Sequence, residues 1–279
     1  MLVNLNAVLK DAQAKGYAVG LFNTTDTDML EGVIAAAEEL RSPVIIGTAE
    51  ILLPYGELKL IAPSIIAAAK RASVPVVVHY DHGLTFERCM EALQLGFSSI
   101  MFDGSTKSEE ENLRETAELV KIAHALGASV EGEIGHVGNA ADGDGQTSEQ
   151  YTTPTEAYRF VEATGVDALA VAIGTAHGAY KTKPKLDINR LAEIRATIDT
   201  PIVLHGGSGL SDEDFRNTVK NGVAKINIFT DLCKAGEEAM KKGLEEAKSY
   251  LAIRDMKVAE IKKAAMAKMR LFGSVNAVK

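Results

Sequence analysis

Histidines fall at one kind of place along this chain, at or just beyond the carboxyl ends of predicted β-strands. Five of the six lie there: His79, His82, His136, His177 and His205. The sixth, His124, lies within a predicted helix. One histidine at a strand end is usually a core residue, but five at the same edge of one sheet indicate a shared site. Imidazole ligands suit Zn²⁺, and three protein ligands with an open fourth position are typical of a catalytic zinc centre.

The predicted zinc ligands come from three different strands and are His82, His177 and His205. Asp81 directly precedes the first of them and is placed to carry a proton to or from a substrate hydroxyl group. His79 lies two residues before Asp81, so both side chains face the same way on an extended strand, whereas His82 lies beyond it at the turn. For His79, a place behind the zinc ligands and simple packing in the core are equally open.

Glycine-rich segments beside two of these histidines predict a phosphate site. In barrels of alternating strands and helices, the loops after the seventh and eighth strands commonly bind phosphate through backbone N–H groups and a helix N-terminus. Each glycine alone would suit a tight turn, but their position beside two predicted ligands favours anion binding. The residues expected to take part are Gly178, Lys181, Gly206, Gly207, Ser208 and Thr230.

A zinc ion next to a phosphate pocket predicts aldol chemistry on a sugar phosphate. The phosphate anchors one end of the substrate, and the metal polarises a carbonyl group and stabilises an enediolate as a Lewis acid. The alternative aldolase chemistry forms a Schiff base on a desolvated lysine of the barrel. Lys225 begins its predicted strand and is expected to point toward the opposite rim, and Lys181 lies in a loop. The metal-dependent route is therefore favoured.

Eight predicted strands alternate with amphipathic helices along the chain, and these elements would position the site. The strands are residues 17–23, 43–48, 75–80, 99–102, 129–134, 168–173, 201–205 and 225–228. Most are continuous apolar runs, as expected where both faces of a parallel sheet are covered. The pattern predicts an α/β protein with a (β/α)8 TIM barrel, in which catalytic residues gather at the carboxyl ends of the strands.

An open doubly wound sheet would give the same local pattern. However, the turn after the first predicted strand, residues 22–30, lacks the G-x-G-x-x-G dinucleotide fingerprint, which favours the barrel. No linker divides the chain, so residues 1–279 are predicted to form a single barrel domain. Additional C-terminal helices, from about residue 231, would pack outside the barrel or against a second subunit. The polar stretch 138–151 is expected to be a mobile active-site loop.

Composition argues against several classes of function. With 30 Lys and Arg against 38 Asp and Glu, the net charge is −8, which does not suit a nucleic-acid-binding surface. No apolar run is long enough to cross a bilayer, and no secretion signal is recognisable. The two cysteines, Cys89 and Cys233, lie far apart in helix-like stretches, so no disulfide framework is expected. These features are typical of a cytoplasmic protein.

Five motifs together resemble those of the class II, zinc-dependent ketose-phosphate aldolases, the group that contains fructose- and tagatose-bisphosphate aldolases. They are HYDHG at residues 79–83, VEGEIG at 130–135, GTAHGAYK at 174–181, LHGGSG at 204–209 and KINIFT at 225–230. The resemblance runs from Phe22 to Ser274, nearly the whole chain. It implies a lyase that reversibly cleaves a ketose phosphate into dihydroxyacetone phosphate and an aldehyde.

The resemblance also implies roles for individual residues. The three predicted zinc ligands and Asp81 keep the roles already assigned to them. Asp103 and Glu133 would lie near the metal, Glu133 as an alternate ligand and Asp103 as an alternate ligand or behind the ligands. The residues that would hold the phosphate of dihydroxyacetone phosphate are Gly178, Lys181, Gly206, Ser208, Asn227 and Thr230. A monovalent cation, Na⁺ or K⁺, would assist there, and the enzyme would be a homo-oligomer, either a dimer or a tetramer.

Two departures from the family pattern bear on the substrate. The family carries a Glu in the mobile loop as an acid, and Ala141 stands at its place, with Asp142 and His136 as candidate replacements. The family's C-terminal Pro-Arg segment, which binds a second phosphate, is shortened here, and Arg254 is the nearest candidate. Asn23, Asp142 and Arg254 are thus the candidates for the acceptor side. We expect an acceptor aldehyde without a phosphate, either a simple unphosphorylated aldehyde or a sugar acid.

Three other functions are left open by the sequence. The first is a fructose- or tagatose-1,6-bisphosphate aldolase proper. The second is a zinc hydrolase on the same barrel, although such hydrolases often carry an H-x-H pair on the first strand and residues 21–25 have none. The third, from a different class of protein, is a barrel that binds a sugar phosphate without turning it over.

Overall fold

Nine parallel strands form the centre of the molecule, in a computed structural model that describes residues 1–135, 137–138, 151–176, 178 and 184–278. They are β1 (Leu2–Val3), β2 (Val19–Asn23), β3 (Val44–Ala49), β4 (Val76–Gly83), β5 (Ser99–Phe102), β6 (Ser129–Ile134), β7 (Ala168–Val171), β8 (Ile202–Leu204) and β9 (Val223–Ile228). From β2 onward each strand pairs with the next in the chain, and β9 pairs with β2 to close the ring. The short β1 adds to β4. The predicted (β/α)8 barrel is confirmed, and all eight predicted strands are present, with ends that differ by a few residues.

Helices surround this barrel. The described ones are α1 (Asn6–Lys15), α2 (Thr27–Leu40), α3 (Leu58–Arg71), α4 (Phe86–Leu95), α5 (Glu109–Ala125), α6 (Pro154–Thr164), α7 (Ile188–Thr197), α8 (Asp212–Lys220), α9 (Thr230–Glu245) and α10 (Tyr250–Leu271). Capping side chains fix where several of them begin. Asp26 accepts hydrogen bonds from the backbone N–H groups of Asp28 and Met29, and Ser211 forms a reciprocal capping box with Asp214. These caps set the helix starts on the same rim as the strand ends.

The barrel interior divides into an apolar half and a polar half. Leu21, Ile45 and Val77 form one buried cluster with Leu9 of α1, at the end where the strands begin. Toward the carboxyl ends of the strands, buried positions instead carry His79, Asp81, Glu131, Glu133, Lys225 and Asn227. Polar groups are stable in such a place only when they bond to one another, because burial removes their water. The fold therefore places a hydrogen-bonded polar layer directly beneath one rim.

The C-terminal helices α9 and α10 pack on the outside of the barrel. Helix α10 lies along α2, where the helices meet so closely that a Cβ atom on Gly32 would lie 2.9 Å from Cγ2 of Ile261. An ion pair between Arg254 and Asp28, 3.0 Å apart, fastens the first half of α10 to the start of α2. None of the helices described in the structure is long and apolar enough to cross a membrane.

Candidate active site

An irregularity in β4 directs two adjacent side chains into the same space. Side chains of successive strand residues normally face opposite ways. Between Tyr80 and Gly83, however, the pairing of β4 with β5 shifts, and His82 has a positive φ of 44°. An extra residue in one strand re-aims the side chains next to it. His82 therefore lies within β4 and faces the polar layer together with Asp81, which corrects the expectation that it lies beyond the strand at a turn.

The two described members of the predicted ligand set meet at this point. Nε2 of His82 is 2.7 Å from Nδ1 of His205, which follows β8 on the opposite side of the ring. The rear nitrogen of each ring is held by a carboxylate: His82 Nδ1 is 2.8 Å from Asp103 Oδ2, and His205 Nε2 is 2.8 Å from Glu131 Oε1. Such rear partners orient imidazoles for metal binding. The third predicted ligand, His177, lies outside the described residues.

The donor set fits a metal ion. Asp81, His82 and His205 each offer one ligand atom, all within 4.8 Å of one another, and His82, Asp103 and Glu133 form a second such group. Oε2 of Glu133 is buried with no hydrogen-bond partner among the described residues, 4.0 Å from Nδ1 of His82. Burial and the nearby Asp103 carboxylate raise the pKa of Glu133 well above its usual value. Two imidazoles with a carboxylate in reach are a nitrogen-rich set that suits zinc.

Asp81 lies at the centre of the layer and is held by two amide groups. Nδ2 of Asn23 donates to Oδ2 of Asp81 at 2.8 Å, and Nδ2 of Asn227 donates to Oδ1 at 3.0 Å. Burial alone would raise the pKa of Asp81, but His82 and the Lys225 ammonium outweigh it and hold the pKa well below its usual value. Asn23, a candidate for the acceptor side, is therefore placed beside the predicted proton carrier.

Beneath these residues, a buried ion pair closes the layer. Nζ of Lys225 lies 2.8 Å from Oε2 of Glu131 and 2.7 Å from Oδ1 of Asn227. The expectation that Lys225 points toward the opposite rim is wrong, because β9 begins at Val223 and Lys225 faces into the barrel. The lysine amine is engaged by these partners below the floor of the cavity, which is a different reason for disfavouring it as a Schiff-base nucleophile.

His79 lies in the same buried layer, beside Ser99 and two carboxylates. Its Nδ1 is 2.7 Å from Oγ of Ser99, and its Nε2 lies 3.8 Å from both Asp81 and Glu131. Burial, with Lys225 nearby, lowers the pKa of His79 to about 3, so the ring is neutral. Of the two roles left open for His79, the geometry favours packing in the core, next to Asp81 and Glu131.

A cavity of about 550 Å³ opens above Asp81 and His82. The predicted phosphate-site residues that line it are Gly178, Gly206, Gly207, Ser208, Asn227 and Thr230, and Lys181 lies outside the described residues. Helix α9 begins at Thr230, so the backbone N–H groups of its N-terminus start at this wall. Gly206 has a φ of 66°, and a Cβ atom there would lie 2.3 Å from the carbonyl oxygen of Ala176, so only glycine fits.

The other candidates for the acceptor side lie away from the cavity or outside the described residues. Arg254 does not line the cavity, because its guanidinium is bound by Asp28, Glu31 and Asp255 outside the barrel. Within the part of the chain that the structure describes, Arg254 is paired with the acidic start of α2, and its role on the acceptor side stays a prediction. Asp142 lies outside the described residues, as does His136.

Gly47 of β3 gives a test of how tightly Asp81 is held. A Cβ atom on Gly47 would lie 2.6 Å from Oδ1 of Asn23, so Gly47→Ala must displace the amide that positions Asp81. We expect kcat to fall about 10- to 100-fold, since small misplacements of reacting groups have effects of that size. Steady-state cleavage assays on the purified variant measure it. Gly236→Ala in α9, where the nearest atom is 3.4 Å away, is the matched control, and equal kcat in both variants would contradict the prediction.

Known proteins share this architecture along its whole length. A family model of class II fructose-bisphosphate aldolases matches residues 3–277. The crystal structure of the YdjI aldolase from Escherichia coli K12 superposes with a TM-score of 0.92, at 38% identity and 100% coverage of both chains. A probable fructose-bisphosphate aldolase of Bacillus subtilis is 38% identical over 99% of both chains. The 6-phospho-5-dehydro-2-deoxy-D-gluconate aldolase of Shouchella clausii is 39% identical over 98% of this chain and 95% of that protein.

The match therefore extends over nearly the whole chain. Aldolases are lyases, and zinc dependence is the norm in the matched family. This chain belongs to the class II fructose-bisphosphate aldolase family.

Proposed function

We propose that this chain is a zinc-dependent aldolase that reversibly cleaves a ketose phosphate into dihydroxyacetone phosphate and an aldehyde without a phosphate of its own. The observation that carries the proposal is the Asp81 carboxylate beside the His82–His205 pair, at the floor of a glycine-walled cavity. Membership of the aldolase family supports the reaction class. The arrangement of charges and donors supports the roles of the residues.

The proposed zinc ligands are His82, His205 and His177, with Glu133 as the alternate ligand. When bound, zinc supplies a Lewis acid that stabilises negative charge on the substrate's carbonyl oxygen. Asp103 and Glu131 orient the two described imidazoles by accepting hydrogen bonds from their rear nitrogens.

Asp81 is the proposed proton carrier. In the cleavage direction its carboxylate takes the proton from the hydroxyl on the carbon that becomes the aldehyde, while the bond between that carbon and the dihydroxyacetone half breaks. The amides of Asn23 and Asn227 fix both carboxylate oxygens, so the base is positioned before the substrate arrives.

The other wall of the cavity is the proposed phosphate subsite. Gly178, Gly206, Gly207 and Ser208 bring backbone groups close to the anion, and the first turn of α9 at Thr230 adds its N–H groups. The family resemblance adds three further groups to this subsite, namely Lys181, Asn227 and a Na⁺ or K⁺ ion. Assembly into a homodimer or homotetramer belongs to the same proposal.

The position of Arg254 supports an acceptor without a phosphate, because its guanidinium forms ion pairs with Asp28 and Glu31 of α2. Relatives of nearly equal identity carry the names of different aldolases, so identity alone does not select a substrate.

One set of assays tests the function. We expect dihydroxyacetone phosphate to be released from ketose 1-phosphates faster than from ketose 1,6-bisphosphates, to be abolished by EDTA, and to be restored by added zinc. Borohydride added with substrate should trap no lysine adduct. A strong bisphosphate preference would identify a bisphosphate aldolase, and EDTA-sensitive hydrolysis without carbon–carbon cleavage would identify a hydrolase. Phosphate binding with no turnover would leave only a sugar-phosphate-binding barrel.

A further inference from the structure

The topology of the ring shows where the second half of a substrate must lie. The phosphate subsite is built from the loops after β8 and β9, and in the closed order of strands β4 lies directly opposite β8. A substrate with its phosphate at those loops and its reacting carbon beside Asp81, at the end of β4, extends across the ring, where residues after β3 and β4 line the cavity. These two loops form the acceptor end of the cavity.

Apolar side chains line that end. Ile51 and Leu52 belong to a short 3₁₀ helix directly after β3, and Leu84 directly follows β4. All three line the cavity, and Ile51 and Leu84 are 74% and 49% exposed. Apolar side chains grouped at the mouth of a site form a surface that gains stability when an apolar ligand covers it. We call these three residues the acceptor wall.

A half-buried carboxylate holds the two loops of the acceptor wall together. Oε2 of Glu50 accepts a hydrogen bond from the backbone N–H of Leu84 at 2.9 Å and another from the hydroxyl of Tyr80 at 3.2 Å. Glu50 begins the 3₁₀ helix, so this contact ties the loop after β3 to the end of β4. The wall is a fixed surface rather than two independent loops.

The charged side chains among the described lining residues do not favour an anion at the acceptor end. Among the described residues that line the cavity, the charged side chains are Asp81 and Asp103, and there is no Lys or Arg. Arg254 and Lys257 of α10, which pack against the start of α2, are already paired with Asp26, Asp28 and Glu31 there. A phosphate or carboxylate at this end would lose water and gain no cationic partner from these residues.

We propose that the acceptor wall of Ile51, Leu52 and Leu84 sets acceptor specificity, and that it selects an aldehyde whose chain beyond the carbonyl is uncharged and apolar. This inference rests on the proposed function. In the condensation direction the hydroxymethyl carbon of dihydroxyacetone phosphate gives up a proton and bonds to the aldehyde carbon, and the aldehyde oxygen takes up a proton. No further reactant is needed, and the apolar chain lies on the wall as the bond forms.

The test uses two acceptors of the same length, butanal and succinic semialdehyde, which differ in their methyl and carboxylate ends. With the zinc-loaded enzyme and dihydroxyacetone phosphate, we expect kcat/KM to be at least 10-fold higher for butanal. From acetaldehyde to propanal to butanal, kcat/KM should rise about four-fold for each methylene, the value for burying one CH₂ group. Preference for succinic semialdehyde, for a sugar acid or for glyceraldehyde 3-phosphate would overturn the proposal.

Ile51→Lys places a cation on the wall at an exposed position, where the fold is not at risk. We expect it to lower the butanal to succinic semialdehyde ratio at least 10-fold, whereas Lys introduced at Leu251 of α10, 68% exposed and away from the cavity, should leave the ratio unchanged. An unchanged ratio for Ile51→Lys would contradict the proposal. Deuterium exchange into dihydroxyacetone phosphate without any acceptor separates this proposal from the proposed function. If the wild type shows no exchange, the aldolase function itself is contradicted. If it shows exchange but prefers the charged acceptor, only the role of the acceptor wall is contradicted.

Discussion

Asp81→Asn should lower kcat for cleavage by about 10²- to 10⁴-fold, the usual contribution of a positioned acid or base. The variant keeps the shape of the side chain but removes the group that takes the hydroxyl proton. It also replaces one of the two acceptor oxygens with an NH₂ group, so the hydrogen bonds from Asn23 and Asn227 can no longer all form. Proton transfer and its geometry fail together, which is why we expect the largest effect on activity at this position.

Zinc content, thermal midpoint and single-turnover cleavage distinguish a lost base from a lost metal site. We expect the variant to hold zinc as the wild type does, because His82 and His205 are unchanged, and to lose cleavage. Asp255→Asn, the same change on an exposed helix position, is the control and should keep full activity. A kcat for Asp81→Asn within ten-fold of the wild type would remove Asp81 from the mechanism.

The sequence predicted the barrel and the rim of the site because strand-end positions can be read from apolar runs and helix starts. It predicted the pairing of Asp81 with His82 only as neighbours in the chain. The shifted register after Tyr80 directs both side chains to one point. Such a shift cannot be read from the order of residue types along the chain.

The same cause explains the error at Lys225. Two residues of β9, from Val223 to Lys225, span a single step of β8, from Ile202 to Val203. The irregularity lies directly before Lys225, so the direction of its side chain could not follow from counting along the strand. A usable signal was nevertheless present: Glu131 and Glu133, and Lys225 and Asn227, are polar pairs two residues apart in otherwise apolar strands, which indicates a shared inward face.

The ion pair between Lys225 and Glu131 should have the largest effect on stability. Both side chains are fully buried, and Glu131 also accepts from His205. Burial raises the pKa of Glu131, but the Lys225 ammonium outweighs it and lowers the pKa to about 2, so the carboxylate stays ionised. Lys225→Met leaves this charge in the barrel without its cation, and we expect the free energy of unfolding to fall by about 3–5 kcal/mol.

Urea unfolding of the metal-free protein measures the change, and a double-mutant cycle assigns it to the pair. Removing both charges, with Lys225→Met and Glu131→Gln, should be less destabilising than Lys225→Met alone, because no unpaired charge remains and Gln can still accept from His205. Lys241→Met removes an equally close partner from Glu237 on the exposed face of α9 and should leave the midpoint nearly unchanged. If the buried and exposed lysines gave the same small change, the pair would not be what holds the polar layer together. If instead the double variant were less stable than Lys225→Met alone, the charge of Glu131 would stabilise the fold through His205 rather than through its ion pair with Lys225.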